Sequence, residues 1–220
     1  MVNMVASVDG AAAGPDTRTA SLSGPADRAL FRVLRSIADV VLAGAGTVRA
    51  ENYGAAKLPA ELVEARVARG QPPRPRMAVA SGSLRLDPTA RFFTDAPADQ
   101  RPIVLTAASP VANPAAREDL AAVAEIHEVG ERSIDWPTGF GLLRDHYGAN
   151  IVLVEGGPTL NAQLVEYDLI DELCLCISPQ FLGGPALRIV AGGNPPSPLR
   201  LRLDRVVEDD SFLFLRYLRA

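Results

Sequence analysis

A chain of 220 residues with 48% hydrophobic residues and a formal charge of −4 has apolar material for one packed core and no basic footprint for nucleic acid. Its 22% of charged residues place it outside the disordered and fibrous classes. No apolar run reaches the length of a membrane span, and the N-terminus lacks the charged and apolar regions of a secretory signal. A cytoplasmic protein with one domain over residues 1–220 is expected, with no membrane partner. Lys57 is the only lysine, so positive pockets would be built from arginine, whose fork matches phosphate. Cys174 and Cys176 alternate within an apolar run and would lie as free thiols on one face of a strand. Together with His127 and His146 they make no zinc spacing, and no metal is expected.

In chain order, residues 1–8 read as a strand. Its start at the first residue suggests a further segment upstream. Ser7-Val8-Asp9-Gly10 has turn chemistry, with Asp9 bonding its own backbone as the simplest role. Residues 11–23 form a long loop of the kind that often carries function. Gly24-Pro25 opens a helix with Leu30, Leu34 and Ile37 on one face and Phe31 and Val33 widening it; Arg28, Arg32 and Arg35 lie elsewhere, where solvent is the default. Residues 38–43 form a strand leading into Gly44-Ala45-Gly46-Thr47-Val48-Arg49. Arg49 occupies the third glycine position of a dinucleotide fingerprint, and the acids Glu61 and Glu64 fall in a helical pattern, so a Rossmann motif is rejected. The hydroxyl of Thr47 can meet a phosphate or cap a short helix. Residues 59–69 are helical through Leu62, Val63 and Val67. Strands at 76–80, 102–106 and 125–129 follow, the last with His127 pointing outward, and helices are read from Asn113-Pro114 to Val123 and over 140–147. Strands alternating with helices predict an α/β fold with a mostly parallel central sheet flanked by helices. A strand at 170–178 and an antiparallel hairpin of 199–207 with 212–218 close the chain.

The most informative stretch is Ile151-Val-Leu-Val-Glu155-Gly156-Gly157-Pro158-Thr159-Leu160-Asn161. A buried strand runs into a carboxylate, two glycines and a proline suited to the first helical position, leaving free N–H groups at the turn. Such a turn can hold a phosphate. Glu155 lifts it above an ordinary strand-to-helix connection, although the carboxylate can also simply serve backbone N–H groups.

Asn3-Met-Val-Ala-Ser7-Val-Asp9-Gly10 as it begins the chain, Gly44-Ala-Gly46-Thr47-Val-Arg-Ala-Glu51, the turn after Val154, and Leu182-Gly183-Gly184 occur in an order that resembles the reductase domain of the bifunctional riboflavin-biosynthesis deaminase/reductase. That family belongs to the dihydrofolate reductase superfamily, and the resemblance covers almost the whole chain. It implies a dihydrofolate reductase-like fold, a homodimer, and NADPH-dependent reduction of a phosphorylated pyrimidine, a ribosylaminopyrimidine 5′-phosphate, to its ribitylamino form. It places Val5, Ser21, Gly46, Thr47, Glu51 and Ser81 on the cofactor side, with Gly156, Gly157, Pro158, Thr159, Leu160, Asn161 and Gln163 at the pyrophosphate. On the substrate side it points to Asn3, Ser7, Asp9, Thr19 and Arg35, the last as a phosphate ligand. Glu155 is the implied catalytic group, a carboxyl able to relay a proton as the sugar opens. The family commonly has lysine where this chain has Asn3 and aspartate where it has Glu51. The diamino and the deaminated pyrimidine are both open as substrate, with any deamination supplied by another protein. Reduction of a different heterocycle, such as dihydrofolate, and a non-catalytic nucleotide-binding module are the alternatives.

Overall fold

The computed structural model describes residues 1–14, 18–108, 114–193, 195 and 197–220. In chain order the elements are β1 (Val2–Ser7), α1 (Pro25–Ile37), β2 (Val40–Gly44), α2 (Ala45–Ala50), α3 (Ala60–Ala68), β3 (Arg76–Ala80), α4 (Arg91–Thr94), β4 (Ile103–Thr106), α5 (Pro114–Val123), β5 (Glu125–Glu128), α6 (Trp136–Asp145), β6 (Val152–Val154), α7 (Pro158–Glu166), β7 (Glu172–Ser178), β8 (Leu201–Asp209) and β9 (Phe212–Arg219). Two compact units divide them: Met1–Leu34 with Leu153–Ala220, and Arg35–Val152.

In the first unit β1 pairs in parallel with β6 and with β7. Antiparallel β9 continues from β7 and carries β8 in the C-terminal hairpin. Asp210 and Ser211 both have positive φ at the hairpin tip, the backbone that two-residue hairpins use to match strand twist. Cys174 and Cys176 are buried on one face of β7, as their alternation predicts. Cys176 packs with Val5, Leu22 and Phe212.

In the second unit β2, β3, β4 and β5 are parallel neighbours in that order. Their apolar runs are closed to solvent on both faces: Val41, Leu42, Ala43, Ala78, Val79, Ile103, Val104 and Leu105 have no exposed surface. Continuous rather than alternating hydrophobicity is what a covered parallel sheet requires. The fold is the expected α/β type, mostly parallel with a C-terminal antiparallel hairpin.

Several local readings change. Asn113 lies outside the described residues; α5 is described from Pro114. Helix α6 starts at Trp136, four residues ahead of the expected 140, because Pro137 suits the first turn and Trp136 and Leu143 fill the core beneath it. Helix α4 buries Phe92 and Phe93 in a stretch with no expected element. Val33 and Val67, read as core, are 44% and 55% exposed, whereas Arg66 is fully buried. His127 is only partly exposed: its ring meets the Tyr147 hydroxyl, and burial lowers its pKa.

Candidate functional site

In the first unit, the buried residues of β6 end at Glu155, itself only 6% exposed. Gly156 follows at φ +85, where a Cβ would sit 3.2 Å from the Met4 sulfur. Both features favour glycine there. The Gly156–Gly157 peptide is cis. Gly157 then precedes Pro158 as the N-cap of α7, and no side chain caps the helix. The first N–H groups of α7 are therefore directed to the turn, as the sequence anticipates. Leu160 and Asn161 are buried within α7, Gln163 is half-buried and Thr159 is exposed. The Asn161 amide nitrogen donates to the Ile189 carbonyl at 2.8 Å, and Ala191 N–H donates to the Pro158 carbonyl. These two bonds hold the 189–191 segment across the first turn of α7.

Asn3, Val5 and Ser7 share one face of β1. Val5 belongs to the apolar cluster already described. Ser7 is 1% exposed; its hydroxyl accepts from Ala11 N–H and donates to Asp9. The Asp9 carboxylate also accepts from Leu182 N–H and, at 2.7 Å, from Gly183 N–H. The Ser7 hydroxyl, followed by the Gly183 amide, draws the pKa of Asp9 below its ordinary value. Ser7 and Asp9 thus pin the 182–184 turn to the end of β1. The Thr19 carbonyl accepts from Leu22 and Ser23, and the Ser21 carbonyl from the Gln180 side chain.

In the second unit, Gly44 is the N-cap of α2, with no side-chain cap, so Thr47 is not the capping group. No atom lies within 4 Å of a Cβ built on Gly46. Glu51 closes α2, its N–H donating to the Thr47 carbonyl. Ser81 follows β3 and is 4% exposed; its hydroxyl finds no partner among the described residues. An unsatisfied buried hydroxyl and open space over Gly46 fit a polar ligand approaching the ends of β2 and β3. Arg35, in the last turn of α1, lays its guanidinium over the Tyr53 ring at 5.3 Å.

A family model described as the RibD C-terminal domain matches residues 1–214. The chain belongs to that family. Among its relatives, the 2,5-diamino-6-ribosylamino-4(3H)-pyrimidinone 5′-phosphate reductase of Archaeoglobus fulgidus is 30% identical over 193 residues, covering 88% of this chain and 85% of that protein. A pyrimidine reductase-like protein from Corynebacterium diphtheriae superposes with a TM-score of 0.90 at 25% identity, over all of this chain and 90% of that one. Dihydrofolate reductase from Enterococcus faecalis, solved with NADP(H), matches over 99% of this chain and 94% of its own at a TM-score of 0.52 and 9% identity. At that identity the likeness shows the fold alone, and the fold is dihydrofolate reductase-like.

Two residues of this RibD-type domain escape sequence reasoning. Tyr53 stands just past the end of α2, ahead of the small residues Gly54-Ala55-Ala56, in a stretch with no recognisable pattern. Arg66 leaves one trace: it stands four after Leu62 and three after Val63, an arginine on the stripe that should be apolar.

Proposed function

We propose that this chain is an NADPH-dependent reductase acting in the cytoplasm on a ribosylaminopyrimidine 5′-phosphate of riboflavin biosynthesis. The observation that carries the reading is a carboxylate, Glu155, buried at a strand end and followed at once by the Gly-Gly-Pro turn. The activity for which the Archaeoglobus fulgidus relative is named supports it. In the first unit the turn from Gly156 to Gln163, with Val5 and Ser21, would contact the dinucleotide, and in the second unit Thr47 and Ser81, with Gly46 and Glu51, are assigned to the same cofactor. Bound there, it supplies a hydride to C1′ of the sugar.

The chain's own part is to open the ribosyl ring and keep it open. Breaking the bond from C1′ to the ring oxygen leaves C1′ doubly bonded to the exocyclic nitrogen, which gives up its proton while the ring oxygen takes one. Reduction at C1′ is then balanced by a proton on that nitrogen. Glu155 is the group assigned to move these protons. Arg35 holds the 5′-phosphate, with Asn3 and Thr19 beside the substrate. Ser7 and Asp9 serve the substrate indirectly, by fixing the 182–184 turn.

The test follows loss of reduced-NADPH absorbance with the diamino ribosylamino compound, its deaminated form and dihydrofolate in parallel. Oxidation with a ribosylamino compound is expected, falling about 10²–10⁴-fold in Glu155→Gln while NADPH binding persists. Turnover of dihydrofolate alone would replace the assignment. Binding of NADPH without any turnover would instead support a nucleotide-binding module.

The homodimer belongs to the same proposal. On the hairpin the strand register puts Leu203, Val206 and Leu213 on one face, the first two about half exposed and Leu213 39% exposed, apolar surface that a second copy would cover. Light scattering on the purified chain checks it, and a monomer at micromolar concentration would refute it.

A further inference from the structure

Helix α1 ends at Ile37, and its last carbonyls have no partners within the helix. The chain runs straight into β2 through Ala38-Asp39, with no glycine to turn back and satisfy them. Side chains from α3 and the loop after it do so instead. Arg66 Nη1 donates to the carbonyls of Ala38 at 2.6 Å, Ser36 at 3.0 Å and Arg35 at 3.3 Å, and its Nε donates to the Pro72 carbonyl at 2.8 Å. Arg69 donates to the Ser36 carbonyl at 2.6 Å, and Gln71 to the Ile37 carbonyl at 3.2 Å. Every carbonyl from 35 to 38 is gripped.

A buried cation is a costly way to end a helix unless the end must be held in one place. The residue held is Arg35. Its backbone carbonyl is bound by Arg66, and its guanidinium lies on Tyr53. A twist of this last turn would swing the Arg35 fork away from whatever it binds, and bidentate contacts tolerate little displacement.

We propose that Arg66 is a positioning residue for the substrate phosphate: by clamping the end of α1 it fixes the backbone from which Arg35 reaches the 5′-phosphate. The inference rests on the assignment of Arg35 made above. Its expected signature is lost discrimination between the phosphorylated substrate and the same compound without phosphate. Lysine at this position keeps the charge but, as a compact point charge, cannot spread donors over the same carbonyls.

The experiment uses the full chain and measures KM and kcat for both compounds, together with NADPH affinity and melting temperature. Arg66→Lys should raise KM for the phosphorylated compound about ten-fold, leaving kcat, NADPH affinity and KM for the dephosphorylated compound near their starting values. Combining it with Arg35→Ala should add nothing to the loss from Arg35→Ala alone. Arg69→Ala, which releases the Ser36 carbonyl from an exposed side chain, should give a smaller change of the same kind and serves if Arg66→Lys does not fold. A loss of kcat or melting temperature with phosphate preference intact, in whichever variant folds, would overturn the proposal. So would additive losses in the double variant. Phosphate preference surviving Arg35→Ala would also overturn it, and would locate the failure in the assignment of Arg35 itself.

Discussion

At the end of β1 a carboxylate gathers backbone N–H groups, and at the end of α1 a guanidinium gathers backbone carbonyls. Asp9 does the first in one unit, tying Leu182 and Gly183 to the strand end; Arg66 does the second in the other, tying residues 35 to 38 to α3. The solutions differ in environment as well as in sign. Asp9 is an exposed loop residue, whereas Arg66 is fully buried. A charge in water exchanges solvent bonds for protein bonds at little net gain, while a buried one is held by partners that have no alternative. The carboxylate therefore makes a hold that can be released, and the guanidinium a permanent one.

The sharpest way to break that contrast is to remove each charge. Arg66→Met keeps an apolar stem of similar reach but leaves the Ala38 and Pro72 carbonyls without their donor. Replacing both members of a buried ionic contact by apolar groups can be neutral, but here the backbone acceptors remain. A loss of about 2–5 kcal/mol is expected in urea unfolding, and a loss within error would show that the clamp is dispensable for stability. Gly156→Ala probes the first unit's other fixed point, at φ +85 with the Met4 sulfur 3.2 Å from the new carbon. Methionine can give way, so the cost is mostly backbone and should be about 1–3 kcal/mol. It is read by the same unfolding curve, and an unchanged midpoint would mean that the turn does not need glycine there.

The same contrast explains what could be read from the chain. The Asp9 bonds to Leu182 and Gly183 cross 173 and 174 residues and leave no trace in spacing, but its Ser-x-Asp-Gly turn, with the Ser7 hydroxyl two residues away, is local and anticipated. The β6 strand and α7 start are equally local, since Glu155, two glycines and Pro158 carry their own backbone instructions. The clamp on α1 is non-local: its donor comes about thirty residues after its acceptors, and no periodicity reports which arginine will cross to a neighbouring helix end. The exposed Val67 beside the buried Arg66 shows the failure directly, because hydrophobicity ranks those two the wrong way round. Helix α6 begins four residues ahead of the expected 140 for a related reason: Pro137 suits its first turn, and the burial of Trp136 and Leu143 is a tertiary effect that no local pattern reports.

The smallest effect is the most diagnostic, because it depends on which charge can be titrated. The Asp9 pKa is depressed in the folded chain, first by the Ser7 hydroxyl and then by the Gly183 amide. A depressed carboxylate adds its hold in full above its unfolded value, about 3.9, and loses it as pH falls through the lower folded value. The amide signals of Leu182 and Gly183 should thus stay constant from neutral pH down past that value and move only in stronger acid. Asp9→Asn should abolish the transition and speed amide exchange at both positions at every pH. The amides of residues 35 to 38 should show no matching step, since the Arg66 guanidinium, although its pKa is lowered by burial, keeps its proton throughout this range. Movement of both sets together would mean that acid loosens the chain as a whole and that Asp9 is not the group responsible.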